Sequence, residues 1–121
     1  MAKLLLIDDS RTSRRILKEI LTNAGHEIVG EAVDGEDGYI KYKELRPDLV
    51  TLDITMPKMD GIESLQLIRK EDDNAKVVMI TAAGQKEKMM QAIKYGAAEF
   101  ITKPYDSDEV IRLINKVLEE N

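Results

Sequence analysis

An open, doubly wound α/β sheet is the fold class this sequence predicts, and three observations predict it. Short apolar runs alternate with amphipathic stretches from one end of the chain to the other. Runs such as Leu4-Leu5-Leu6-Ile7 and Val77-Val78-Met79-Ile80 are apolar at successive positions, the mark of strands covered on both faces of a parallel sheet. The 121 residues divide into five such strand–helix units. A closed barrel would need eight strands and about 250 residues, so the sheet is open. Of the two common doubly wound orders, 2-1-3-4-5 is the one that uses five strands. Crossovers are expected to be right-handed.

Each element has a local reason. The first strand covers about residues 3–8. A helix follows from Arg11 to Ala24, with Ile16, Leu17, Ile20, Leu21 and Ala24 on one face, Ser10 as N-cap and Gly25 just past its end. The second strand spans about 27–32, and the second helix about Gly35 to Leu45, stopping ahead of Pro47. Gly38 inside that helix costs about 1 kcal/mol relative to Ala, and the sequence offers no reason for it. The third strand is about 48–53. Asp60 and Glu63 have capping-box spacing for the third helix. The fourth strand is about 76–81, with a helix from about Lys86 to Tyr95 ending at Gly96. The fifth strand is about 98–102. The last helix starts at Asp106 and carries the stripe Val110, Leu113, Ile114, Val117, Leu118.

Composition removes several function classes. There is no cysteine, so disulfides, thiolate metal sites and Cys nucleophiles are excluded, and a reducing cytoplasm is the expected location. No apolar run approaches the roughly 20 residues of a membrane span. The first strand begins almost at Met1, which leaves no room for a signal peptide. The net charge of −5 and the absence of Trp speak against nucleic-acid binding, which needs a basic face and stacking platforms. His26, in a turn after Gly25, reads as an exposed loop residue. The six Met residues read as packing or loop.

The chemistry lies at the strand ends. The first strand ends in Asp8-Asp9, the third in Asp53, the fourth in Thr81 and the fifth in Lys103-Pro104. In an open parallel sheet the carboxyl ends share one edge, where ligands bind. Singly, each residue has a plainer role: a helix cap, a solvated loop acid, a strand threonine, a surface lysine. Jointly they bring three carboxylates, a hydroxyl and an ammonium together. Such carboxylates repel unless a cation sits among them. Mg²⁺ suits them, since it takes oxygen ligands and needs only one or two carboxylates besides water and phosphate. Zinc and copper would want imidazole or thiolate. A carboxylate beside Mg²⁺ can attack phosphorus to give an aspartyl phosphate. Lys103 and Thr81 offer a charge and a hydrogen bond to the phosphoryl oxygens, and small Ala82 leaves access. Arg11, Arg14, Arg15 and Lys18 make the start of the first helix basic, as Lys86, Lys88 and Lys94 do the fourth. Each set is a solvated face or a docking surface for an acidic partner.

The residues Asp8-Asp9-Ser10, Asp53-Ile54-Thr55-Met56-Pro57-Lys58-Met59-Asp60-Gly61, Thr81-Ala82-Ala83-Gly84-Gln85, Gly96-Ala97 and Lys103-Pro104-Tyr105 resemble the receiver domain of two-component response regulators, most closely the single-domain chemotaxis regulators. The resemblance runs over essentially the whole chain and implies a flavodoxin-like (βα)5 fold, with residues 1–121 as a single receiver domain. It implies a phosphoacceptor signalling protein rather than a conventional enzyme, one that promotes its own phosphorylation and dephosphorylation. Asp53 would accept a phosphoryl group from a sensor histidine kinase. Asp8, Asp9, Asp53 and the main-chain carbonyl of Thr55 would hold Mg²⁺. Lys103 would reach the phosphoryl group, and the Lys103–Pro104 bond would be cis. Thr81 and Phe100 would form the switch that reshapes the face read by partners, such as a flagellar motor switch protein or a phosphatase. Phe100 stands where chemotaxis regulators often carry Tyr, and Thr55 and Ala83 fill the two positions that tune hydrolysis. A cytoplasmic monomer is expected. Within the family, the alternatives are a phosphorelay intermediate or a receiver from a transcription factor, although the chain ends with its last helix. Outside it stands a Mg²⁺-dependent aspartyl phosphatase, which would carry an acid where this chain has Thr55. A flavin-binding flavodoxin would need a Ser/Thr-rich phosphate loop in place of Asp8-Asp9.

Overall fold

A computed structural model describes residues 1–120. In chain order the elements are β1 (Lys3–Ile7), α1 (Arg11–Asn23), β2 (Glu27–Ala32), α2 (Gly35–Leu45), β3 (Leu49–Asp53), α3 (Gly61–Glu71), β4 (Val77–Thr81), α4 (Lys86–Lys94), β5 (Glu99–Thr102) and α5 (Ser107–Glu119). All strands pair in parallel, in the order β2-β1-β3-β4-β5. The predicted order is therefore the observed one, and the predicted boundaries hold to within about a residue, the normal scatter of element ends.

The doubly wound arrangement explains the uninterrupted apolar runs. Side chains alternate between the two faces of a strand. Leu5, Ile7, Val50, Leu52, Val77 and Met79 pack with Tyr42, Ile62, Leu65, Ile68 and Ala92, on the side of α2, α3 and α4. Leu4, Leu6, Leu49, Val78, Ile80 and Ile101 pack with Leu17, Leu21, Val110, Leu113, Ile114 and Val117, on the side of α1 and α5. With helices on both faces, the central strands are apolar at nearly every position.

Capping follows the sequence closely. Ser10 accepts from the Ser13 N–H and Asp60 from the Glu63 N–H. Asp106 accepts from the N–H groups of Asp108 and Glu109. Asp34, which the sequence reading passed over, caps α2 through the Asp37 N–H at 2.8 Å.

Two expectations are corrected. Ile16 was placed on the buried face of α1 but is 41% exposed. Leu17 and Leu21 are buried and Ile20 and Ala24 partly so, which makes the stripe narrower than expected. His26 is not an exposed loop residue: it is 9% exposed. Its Nδ1 accepts the Ala2 N–H at 3.2 Å and its Nε2 meets Asn115 Oδ1 at 2.9 Å, so the proton lies on Nε2. The tight return after α1 sets the ring between the chain start and α5, at the end of the sheet away from the acids.

Gly38 now has a reason. A Cβ there would lie 2.5 Å from Ile7 Cδ1 and 2.9 Å from Ile7 Cγ2, so glycine lets α2 press directly on β1. Gly61 is tighter still. A Cβ would come within 2.1 Å of the Asp53 carbonyl oxygen and 2.7 Å of Ile54 Cα, both main chain. The Gly61 N–H donates to the Ile54 carbonyl at 2.7 Å, which fixes the first turn of α3 against the end of β3.

Substitution of either glycine tests these approaches. Gly38→Ala should destabilise by about 1–3 kcal/mol despite the better helix propensity of Ala, because the overpacked atoms belong to a buried strand residue. Gly61→Ala should cost more, because main chain must move. Thermal or urea melts that place Gly38→Ala at or above the parent would show that α2 does not press on Ile7.

Candidate functional site

Parallel pairing delivers the acids. The β1–β3 ladder runs to Ile7 opposite Leu52, so Asp8 and Asp53 leave adjacent strands side by side. The β3–β4 ladder sets Asp53 opposite Ile80, one residue before Thr81. The β4–β5 ladder sets Thr81 opposite Thr102, one residue before Lys103. All the strand-end residues picked from sequence thus reach one edge. The Lys103–Pro104 bond is cis, as the resemblance implied.

The geometry is that of a shared ammonium. Lys103 Nζ lies 2.8 Å from Asp53 Oδ2 and 3.1 Å from Asp8 Oδ2. The other oxygens take main-chain donors: Asp8 Oδ1 accepts the Ser10 N–H at 2.8 Å, and Asp53 Oδ1 accepts the Thr55 N–H at 3.1 Å. Asp8 and Asp53 are buried, whereas Asp9 is exposed. Arg14, from the basic start of α1, donates to the Asp8 carbonyl at 2.6 Å and pairs with Glu31 at 3.1 Å. Lys18 also pairs with Glu31. Two of the four basic residues on α1 therefore brace β1 and β2, while Arg11 and Arg15 remain exposed.

The electrostatics follow from burial and crowding. Burial pushes the Asp8 carboxyl up, and the Asp53 charge adds to that. The Ser10 N–H and Lys103 pull the other way without cancelling it. Burial works against charge on Lys103, but hydrogen bonds to Asp53 and Asp8 overcome it and leave its ammonium more firmly protonated than an ordinary lysine. The Tyr105 hydroxyl is buried without a hydrogen-bond partner among the described residues. Burial and then the Asp8 and Asp53 charges hold its proton on.

The carboxylates suit a hard dication. Asp8, Asp9 and Asp53 each offer an oxygen, and these oxygens lie within 4.8 Å of one another. Among the described residues, Lys103 is the one cation in ion pairs with this cluster, so three carboxylates meet one ammonium. An all-oxygen donor set with excess negative charge, open to solvent at Asp9, fits Mg²⁺ with its retained waters. It does not fit a metal that wants imidazole or thiolate.

One member of the edge escaped the sequence reading beyond its place in a motif. Gln85, just before α4, does not cap its helix. Its Oε1 accepts the Ala82 N–H at 2.7 Å and the Thr81 hydroxyl at 3.1 Å, while Nε2 donates to the Thr55 hydroxyl. An amide four residues beyond a strand threonine carries no periodic signal, so only the folded loop reveals it. Phe100 is half-buried and packs with Met89 and Ala97 against the core.

Comparison with known proteins agrees with this arrangement. The sequence profile of the response regulator receiver domain matches residues 4–115. The chain is 47% identical to the chemotaxis protein CheY of Thermotoga maritima over 115 residues, covering 95% of this chain and 96% of that protein. It is 46% identical to CheY of Bacillus subtilis, covering 96% and 97%. Among solved structures, a chain of the CheX–CheY–BeF3–Mg complex from Borrelia burgdorferi superposes with a TM-score of 0.92 at 42% identity, covering 98% of this chain and 90% of that one.

The pKa direction at Asp8 sets a pH dependence. A carboxyl raised in the folded state keeps a proton that the unfolded chain has released. The Asp8 contribution to stability is therefore fully present at low pH and is lost as pH rises from the ordinary value of 3.8 through the folded value. Metal-free Asp8→Asn should thus melt above the parent at neutral pH, by a margin that shrinks as pH falls towards 4. Melting curves in chelator in which the margin grows on acidification would refute the dominance of burial at Asp8.

Proposed function

The chain belongs to the response regulator receiver domain family and is a phosphorylation-activated signalling switch related to the chemotaxis regulators, and we propose that Asp53 is its phosphoacceptor, with Mg²⁺ held by Asp8, Asp9, Asp53 and the Thr55 carbonyl. The observation that carries this reading is the ammonium of Lys103 shared between Asp8 and Asp53, 3.1 Å and 2.8 Å away. Residues 1–121 are read as one receiver domain working in the cytoplasm as a monomer.

The donor would be a phosphohistidine on a sensor kinase. An Asp53 carboxylate oxygen attacks phosphorus, the P–N bond breaks, and its electron pair leaves with the imidazole. Bound Mg²⁺ would offset charge on the phosphoryl oxygens. Phosphoryl transfer rests on positioning and charge neutralisation, and the chain's own groups supply both. The Thr55 N–H and Lys103 hold the Asp53 carboxylate in a fixed orientation. Lys103 keeps Asp8 as a partner while its remaining donors turn to the new oxygens. The Thr81 hydroxyl, one strand over, is within the same edge and offers a further donor. Buried Asp8 and Asp53 sit on rigid strands, which keeps the reacting geometry tight. The same constellation would let the chain promote its own phosphorylation from a small donor, and later hydrolysis.

The output surface would be α4, β5 and α5. Met90, Ile93 and Tyr95 are exposed apolar side chains on or just after α4, of the kind that mark partner contacts. Phe100 is partly buried and packs against the core on the same side of the sheet as α4. Relatives of this chain are chemotaxis proteins, and one is solved in a complex named for CheX, BeF3 and Mg. The partner here is accordingly read as a chemotaxis output protein such as a flagellar motor switch protein, with a phosphatase as a further partner.

Incubation with acetyl phosphate and Mg²⁺ should add one phosphoryl group, seen by intact-mass analysis. Asp53→Asn and chelation of Mg²⁺ should each abolish it. Labelling that survives Asp53→Asn would assign the acceptor elsewhere.

A further inference from the structure

The Thr81 hydroxyl has one proton to give, and the nearer of its two acceptors is Gln85 Oε1 at 3.1 Å, with the Ala82 carbonyl at 3.3 Å. Gln85 Oε1 lies 3.1 Å from Thr81 Oγ1 and 2.7 Å from the Ala82 nitrogen. The same carboxamide reaches the loop after β3, through Nε2 to the Thr55 hydroxyl. The amide orientation is fixed by chemistry, because the Ala82 N–H can only donate and must face the oxygen. Gln85 sits at the position before α4 where a side chain ordinarily caps the helix, yet it makes no cap hydrogen bond. It turns back to the strand edge instead.

We propose that Gln85 is a positioning residue that holds the resting state: its carboxamide oxygen occupies the Thr81 hydroxyl and the Ala82 N–H, which a phosphoryl group on Asp53 must win from it. This inference rests on the reading of Asp53 as acceptor. A hydroxyl donates one hydrogen bond at a time. A phosphoryl oxygen and Gln85 Oε1 therefore compete for Thr81, and capture of both the Thr81 hydroxyl and the Ala82 N–H by the phosphoryl group releases the Gln85 carboxamide from two of its three contacts. The remaining contact is to Thr55, two residues after the acceptor. Gln85 directly precedes α4, so its release frees the start of that helix, and with it the face carrying Met90 and Ile93. The competition is a two-state equilibrium, and anything that binds only the open state is weakened by the fraction of molecules held closed.

Other features of the molecule do not reach as far. The basic face of α1 and the apolar face of α4 belong to the docking roles already described. The cleft around His26, Tyr42, Asp72 and Asn115 is lined by groups that satisfy each other.

The test measures beryllofluoride–Mg²⁺ affinity of the full chain, with beryllofluoride as the acyl-phosphate mimic, and the initial rate of labelling by acetyl phosphate. Gln85→Ala and Gln85→Met both remove the acceptor oxygen. Both should tighten beryllofluoride binding about 5- to 10-fold, the low end of typical coupling, while leaving the melting temperature unchanged or lower. In a Thr81→Ala background the same changes should have a much smaller effect, because the competition has lost its object. In the unsubstituted chain, the Gln85 side-chain amide resonances should shift when beryllofluoride binds, a readout that needs no variant to fold. Unchanged or weaker binding in both Gln85 variants, or a full effect that persists without Thr81, would overturn the inference. Failure of the unsubstituted chain to label at Asp53 would overturn the acceptor assignment and this inference together. Normal labelling with insensitive Gln85 variants would overturn this inference alone.

Discussion

Like charges held on neighbouring strands govern this edge of the molecule. Asp8 follows β1 and Asp53 ends β3, and their parallel ladder leaves neither acid free to retreat. Lys103 answers both, and Asp9 adds a third carboxylate with no ion pair among the described residues. The resting edge is thus balanced short of neutrality. Phosphorylation would turn the single negative charge of the Asp53 carboxylate into roughly −1.5 to −2 on the acyl phosphate, a further negative increment that such an edge tolerates only with a cation. On the proposed reading, a need for a dication in phosphorylation follows from that imbalance before any detail of ligand geometry is considered. The same imbalance explains why the acids and the lysine come as a set. Removing Lys103 would leave buried carboxylates unpaired, and removing an acid would relieve it.

The two sides of the edge differ in rigidity. The Asp53 side is clamped: Gly61 lets α3 seat its first turn directly on the Asp53 and Ile54 main chain, and the Ser64 hydroxyl reaches across to the Gly35 carbonyl at 2.9 Å. The Thr81 side opens into Ala82, Ala83 and Gly84, all exposed, before α4 begins. Few buried contacts hold such a loop, so it belongs to the low-stability end of the structure. On the proposed reading, chemistry occurs where the backbone cannot yield, and its consequence appears where the backbone can.

Most of this was legible in sequence, for identifiable reasons. The converging edge follows from apolar runs and parallel topology, whereas strand order is not written in the periodicity and follows only from 2-1-3-4-5 being the five-strand member of the two common doubly wound orders. Asp8, Asp9, Asp53, Thr81 and Lys103 were visible because each terminates an apolar run. What stayed hidden depends on contacts between elements distant in the chain. Gly38 makes sense only against Ile7, and Gly61 only against the end of β3. His26 was misread because a turn residue is normally solvated, whereas here Ala2 and Asn115 close over it from both ends of the chain. Ile16 was misplaced because the helical stripe is wide enough in sequence to admit a neighbour that packing then excludes. Gln85 carries no sequence signal, since its role lies in three hydrogen bonds made by a loop.

Those three hydrogen bonds are also of the right size. Typical coupling between sites is about 1–3 kcal/mol, and a net hydrogen bond in a folded protein is worth about 0.5–1.5 kcal/mol. A carboxamide that gives up two such bonds when their donors turn to a phosphoryl group lies in the range a switch requires. A larger clasp would lock the resting state against its own signal, and a smaller one would leave the output face open without it. The buried ion pairs around Asp53 cannot serve this purpose. On the proposed reading Lys103 keeps Asp8 and stays at the Asp53 position in both states, turning only to the new oxygens, so the difference between states falls to the exposed loop next to it.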